Sequence, residues 1–189
     1  MKISTFVMLA GMLLVASISR ADEYDDALAT FKGTDATNPY FTKAYGYALF
    51  PTIGKAGLVV GGAHGDGRVY EKGKYVGDTT VTQLSVGFQA GGEAFSEMIF
   101  FENKAAFDKF TQGNFEMAAT AQAVALTAGV SASAGTTGAS ATASATKNDA
   151  AATSATYSNG MAVFTIAKGG LMYEASIAGQ KFSYKPKGS

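Results

Sequence analysis

The chain contains one histidine, His64, within Gly61-Gly62-Ala63-His64-Gly65-Asp66-Gly67. As a general base it would need a nucleophile within hydrogen-bond reach and a third group to orient it. No G-x-S-x-G elbow occurs and there are no cysteines, so a hydrolase centred on His64 lacks its partner. His64 therefore reads as a residue beside a turn. One histidine without cysteine cannot anchor a zinc ion. The glycine-rich run lacks the Gly-Lys-Ser/Thr ending of a phosphate loop, and the residues after it are strand-like rather than helical. Glu93, Glu97, Glu102, Asp108 and Glu116 are dispersed and read as solvated surface charge. A carboxylate-based hydrolase would require two of them to converge. The basic residues carry more: Lys55, Arg68, Lys72, Lys74, Lys168 and Lys181 all flank glycine turns, so several are expected at one end of a sheet, where they could hold phosphates.

The elements that must position these residues change character along the chain. Tyr24, Ala27, Leu28 and Phe31 fall at i, i+3, i+4 and i+7, which predicts a short amphipathic helix over 22–31 with Gly33 beyond its end. Its polar face, Asp22, Glu23, Asp25, Asp26 and Lys32, has the wrong sign for an anionic bilayer, so the helix should pack on the protein itself. Asn38-Pro39 predicts the start of a second helix, with Asn38 as cap and Phe41, Ala44 and Tyr45 as its apolar stripe. From Tyr47 the period becomes two. Asp66-Gly67 predicts a hairpin turn, and Lys72-Gly73 and Gly77-Asp78 predict others.

In the next strand, Leu84, Val86, Phe88 and Ala90 are expected to face the core while Gln83, Ser85, Gly87 and Gln89 face water. Met98-Ile99-Phe100-Phe101 is apolar on both faces and should be covered on both. Asn103 caps a predicted helix with Ala106, Phe107 and Phe110 as its buried stripe and Gly113 past its end. Residues 118–157 are almost wholly Ala, Gly, Ser, Thr and Val. This predicts a strand to about Val130, then a low-complexity loop over 135–156 whose small side chains offset little ordering entropy. A closing meander is predicted from Asn159-Gly160 to Pro186.

Length and composition bound the class. Of the 189 residues, 1–21 have a basic start, an apolar stretch and Ser19-Arg20-Ala21, the pattern of a secretory signal peptide cleaved after Ala21. Residues 22–189 are then a single domain. Without Lys2 and Arg20, 13 of the 15 basic residues remain against 15 acids, so no bulk attraction to nucleic acid is expected. An exported domain without disulfides must fold on its core alone, which points to the periplasm or cell envelope of a bacterium.

Several motifs, in order, resemble one family. They are Gly46-Tyr47-Ala48-Leu49-Phe50-Pro51, Gly54-Lys55-Ala56-Gly57, residues 61–67, the run from Ser85 through Gly91-Gly92-Glu93 to Met98-Ile99-Phe100-Phe101, and Ala167-Lys168-Gly169-Gly170-Leu171. Together they are similar to the SYLF domain, also called the Ysc84-type domain, over about residues 40–184. The resemblance implies a lipid-binding module. Eukaryotic relatives bind phosphoinositides through basic residues and an amphipathic N-terminal helix, and associate with actin assembly. For exported bacterial relatives, phospholipid binding is the implied role. Matched position by position, it assigns lipid contact to Lys55 and Lys168, with Arg68 in a less strict turn region. The acidic first helix and the expanded 135–156 segment depart from the pattern, and phosphoinositides and actin do not suit an exported bacterial chain.

The expectation is thus an α+β fold: a curved antiparallel sheet of roughly eight strands, barrel- or sandwich-like, with two or three short helices. Its expected role is non-enzymatic binding of anionic phospholipid head groups at a membrane surface, with no metal, cofactor or nucleic acid. The alternative is a scaffold that pairs its small-residue strands with a partner's edge.

Overall fold

A computed structural model of the chain describes residues 23–57, 60–86, 93–117, 123–126, 157–168 and 179–189. The expected signal peptide and the 135–156 loop lie outside these residues, as do the predicted strand over 171–177 and the positions of Phe88 and Ala90.

Eight strands form one sheet: β1 (Gly46–Gly57), β2 (Val60–Glu71), β3 (Lys74–Val86), β4 (Glu93–Phe101), β5 (Asn114–Glu116), β6 (Ala123–Leu126), β7 (Met161–Lys168) and β8 (Lys181–Pro186). Their order is β5-β8-β3-β2-β1-β4-β7-β6, an open sheet among the described residues rather than a closed barrel. Every pairing is antiparallel except that of β6 with β7, which is parallel. Register shifts at Leu49/Thr52 and at Val69/Tyr70 mark the bulges that bend it. Three helices accompany the sheet: α1 over residues 23–32, α2 (Asn38–Lys43) and α3 (Lys104–Phe110).

The central strands are covered on both faces, as the apolar run in β4 requires. On one face Ile99 and Phe101 pack with Phe50, Val163 and the α3 residues Phe107 and Phe110. On the other, Met98 and Phe100 pack with Tyr47, Phe164, and Phe31 and Tyr40 from α1 and α2. The helix ends reflect local chemistry. Asn103 Oδ1 accepts from the Ala106 amide at 3.0 Å, and Gly113 takes φ +116 beyond α3. The cap of α2 is Thr37 rather than Asn38. Thr37 makes no side-chain bond to a first-turn amide; its hydroxyl instead donates to carbonyls of Phe31 and Thr34, tying α2 to the end of α1.

Of the three turns expected from sequence, Lys72-Gly73 is present and the other two are overturned. Asp66-Gly67 lies in the middle of β2. The turn is Lys72-Gly73, both residues at positive φ, as a two-residue hairpin with right-handed twist requires. Gly67 serves a different purpose: a Cβ there would stand 2.5 Å from the Phe50 ring. Gly77-Asp78 likewise lies inside β3, where a Cβ on Gly77 would collide with the Lys185 carbonyl. The facing of β3 is also inverted. Thr79, Val81 and Gln83 point to the α3-side core, leaving Leu84 87% exposed. Its register is fixed by Val81, which sits opposite Gly65 and Phe182, and a one-residue offset exchanges the two faces.

Candidate functional site

The three cations selected from sequence do not share a surface. Lys55 sits on β1 opposite Ala63, a member of the α3-side core, and so belongs to that face. Arg68 and Lys168 belong to the α1 side. Arg68 is level with Leu49, Met98 and Phe164, whereas Lys168 lies four residues further along β7 and β1 and β4 stand between. At strand spacings of about 4.8 Å and rises of about 3.3 Å, their backbones are roughly 20 Å apart.

Arg68 and Lys168 are also engaged with α1. The Arg68 guanidinium stacks 4.0 Å from the Tyr24 ring centroid and 5.4 Å from that of Tyr75. The Lys168 ammonium donates to Thr52 Oγ1 at 2.5 Å and pairs with Glu23 Oε1 at 3.4 Å, while the Thr52 hydroxyl donates to the same carboxylate. One acid of the first turn, Glu23, is thus matched to a sheet cation and Tyr24 to another, while the buried stripe of Tyr24, Ala27 and Phe31 holds α1 inward.

Other cations do converge, at the end of the sheet where β1 begins and β2 ends. Lys72 and Lys74 flank Gly73 in the β2–β3 turn, and the Lys72 amide bonds to the Tyr45 carbonyl at 3.0 Å. Lys185 is registered opposite Asp78, and the Lys187 amide bonds to the Val76 carbonyl at 2.8 Å, with its ammonium 5.0 Å from the Tyr75 ring centroid. Lys43 closes α2 and Lys32 closes α1, with the Lys32 ammonium 5.7 Å from the Phe41 ring. All six lysines are exposed. The acids nearby are Asp25, Asp35, Glu71, Asp78, Glu102 and Asp108, the last paired with Lys104. Of these Glu71 accepts from the Tyr45 hydroxyl and Asp78 from the Tyr75 hydroxyl, the latter at 2.8 Å. Six exposed lysines from four parts of the chain thus stand along this rim. Sequence reasoning picked out Lys72 and Lys74 by their glycine turn. It missed Lys32, Lys43, Lys185 and Lys187, which are brought there only by the tertiary fold.

Of the dispersed carboxylates, Glu97 is not solvated. It is fully buried on the α3 side of β4, registered opposite Phe50 and Thr165. Gln180 Nε2 donates to its Oε2 at 3.0 Å. Burial pushes the Glu97 carboxyl up to about 7, against a smaller lowering by the Gln180 bond. Glu97 Oε1, Gln180 Oε1 and Thr165 Oγ1 are buried without another partner among the described residues. The signal was present: Glu97 directly precedes a run apolar on both faces, so neither side of its strand offers water. His64 is exposed in mid-strand. Among the described residues, no three His, Asp or Glu side chains gather as a metal site, and no helix is long and apolar enough to cross a membrane.

The family model Ysc84, described as Las17-binding protein actin regulator, matches residues 82–185, and the chain belongs to that family. It is also similar to Beta cell expansion factor A of Aeromonas veronii, 32% identical over 146 residues, which are 75% of this chain and 46% of that protein. The chain thus spans about half the length of this relative.

Proposed function

We propose that the chain is a non-enzymatic lipid-binding module that meets anionic phospholipid at a membrane surface. The observation that carries the reading is the rim of exposed lysines around the Lys72-Gly73 turn, in a protein with no excess of positive charge overall. A surface lysine near an anionic leaflet contributes about 1 kcal/mol, so several at one end give an oriented if salt-sensitive attachment. In this reading Arg68 and Lys168 act indirectly, by holding α1 on the sheet, and Lys55 lies away from the contacting end. The exported, envelope location belongs to the same proposal and rests on residues 1–21.

Co-sedimentation with vesicles tests it. The protein should pellet with mixed phosphatidylcholine–phosphatidylglycerol vesicles, not with phosphatidylcholine alone, and raised salt should release it. Lys185→Glu with Lys187→Glu should weaken pelleting by about tenfold or more. Lys55→Glu should leave it nearly unchanged. Equal pelleting on neutral and anionic vesicles, or a larger loss from Lys55→Glu than from the rim pair, would refute the reading.

A further inference from the structure

Gln180 and Glu97 meet from distant parts of the sheet. Gln180 stands just ahead of β8, which β3, β2 and β1 separate from β4, yet its Nε2 donates to Glu97 Oε2 at 3.0 Å across 83 positions of the chain. The contact exists because the chain at 117 and 179–180 turns over the α3-side core, where Met117 is buried. There the Met117 amide bonds to the Gln180 carbonyl at 2.8 Å, and Gly179 supplies φ +77 just before it. β5 pairs with β8 to make one wing, and Phe182 seats that wing on Phe50 and Phe110, with ring centroids 5.6 and 5.2 Å apart.

The polar tie under this wing is short of donors. Glu97, Thr165 and Gln180 are fully buried, and Glu97 Oε1, Thr165 Oγ1 and Gln180 Oε1 have no partner. Thr165 is registered directly opposite Glu97, so both side chains enter the same interior. An ionised carboxylate held there by one amide is a costly buried charge. A proton on Oε1 removes the charge and gives Gln180 Oε1 or Thr165 Oγ1 a donor. The ionisable groups of the surrounding elements are engaged elsewhere. Lys55 of β1 and Glu93 of β4 are registered with each other, Lys181 of β8 pairs with Glu116 of β5 at 3.8 Å, and Lys104 pairs with Asp108 on α3, where Lys109 is exposed. Lys168 of β7 pairs with Glu23, Tyr45 donates to Glu71, and Tyr184 donates to the Val76 carbonyl at 3.2 Å. Burial first, and then the Gln180 bond, set the proton affinity of Glu97.

We infer that the β5–β8 wing is a proton-seated lid: it lies on the α3-side core while Glu97 holds a proton, and its 117/180 end lifts when Glu97 is ionised. Lifting frees Gln180 from β4, bares the aromatic bed of Phe50 and Phe110, and lets water solvate the carboxylate. The open form binds the proton less tightly, so rising pH favours it. β4, β7 and the α1-side core behind them stay in place.

Hydrogen exchange of the full chain at pH 6 and pH 8, corrected for intrinsic rates and read where exchange reports the opening equilibrium, tests the lid on the wild type alone. With the carboxyl at 4.5 when exposed and about 7 when seated, protection of residues 114–117 and 179–184 should fall about tenfold over this interval. Protection of β4 and β7 should change by less than about twofold. Glu97→Gln should keep the wing protected at both pH values, with a thermal melt to check that it folds. Glu116→Gln with Lys181→Gln removes the exposed pair of the same wing and should retain the wild-type response. Equal loss in β4 and β7 would mean that Glu97 weakens the whole fold, and would overturn the lid. A wing indifferent to pH, a response that survives Glu97→Gln, or one that disappears with the exposed pair would overturn it as well.

Discussion

Replacing Glu97 with glutamine should stabilise the protein at pH 8 and do little at pH 5. The carboxyl is fully buried and held by one bond from Gln180, and burial raises it from its ordinary value of 4.5 to about 7. Protonation also supplies a missing donor. A neutral Glu97 can offer an O–H to Gln180 Oε1 or Thr165 Oγ1, buried atoms that otherwise lack a partner. Between pH 4.5 and about 7 the folded chain keeps a proton that the unfolded chain releases. The stabilising contribution is therefore complete below the unfolded pKa, falls as pH rises, and is gone above the folded one. At about 1.4 kcal/mol per unit, the wild type should lose on the order of 3 kcal/mol across this window from Glu97. The glutamine variant keeps a neutral amide throughout and should escape the loss. Urea unfolding of both proteins at several values between pH 5 and 8 measures it: the variant's advantage should grow from under about 1 kcal/mol to about 3. Parallel stability profiles would show that Glu97 stays ionised in the fold, or that water reaches it, and would refute the reasoning.

Further predictions concern the frame. Gly67→Ala should cost about 1–3 kcal/mol, because its Cβ would stand 2.5 Å from the Phe50 ring and 2.9 Å from the Leu49 carbonyl, and Phe50 is fully buried. Thermal melting should drop by several degrees, at about 2–4 °C per kcal/mol for a chain of this size, and an unchanged midpoint would show that the β1 bulge absorbs the methyl. Arg68→Ala should loosen α1 more than Lys168→Ala. The first removes stacking on Tyr24, of about 0.5–2 kcal/mol, whereas the second breaks a surface ion pair of about 1 kcal/mol or less. Hydrogen exchange over residues 23–32 reads the difference, and the reverse order would show that Lys168 is the main tether.

Periodicity made much of the architecture legible. Met98-Ile99-Phe100-Phe101 could only be a strand covered on both faces, and Asn103 with Ala106, Phe107 and Phe110 specified a capped helix whose stripe is buried. Local signals failed where a residue type serves more than one physical need. Asp-Gly favours a turn, but Gly67 is present because an aromatic ring lies against its backbone, which the neighbouring residues do not encode. The parity of β3 was misread because Leu84 is an apolar residue on the exposed side while Gln83 faces inward. The family resemblance found the right kind of domain, yet it could not place Lys55, Arg68 and Lys168 relative to one another. Which face a strand residue takes depends on bulges such as that between Leu49 and Thr52. The rim lysines were harder still, since they come from two helix ends, one turn and β8 with its following residue, far apart in sequence.

The pairing of β3 with β8 governs how this sheet can be assembled. β3 is flanked by β2, its immediate predecessor, and by β8, whose Ser183 hydroxyl meets that of Thr80 across 103 positions. Closing so long a loop must precede any reward from the contact, so this wing should zip late, after the β1–β2–β3 meander has formed. Until residues 181–186 arrive, β3 presents bare amides and carbonyls along one side, a sticky template for another chain. A truncation that removes β8 should therefore yield aggregates rather than a smaller monomer.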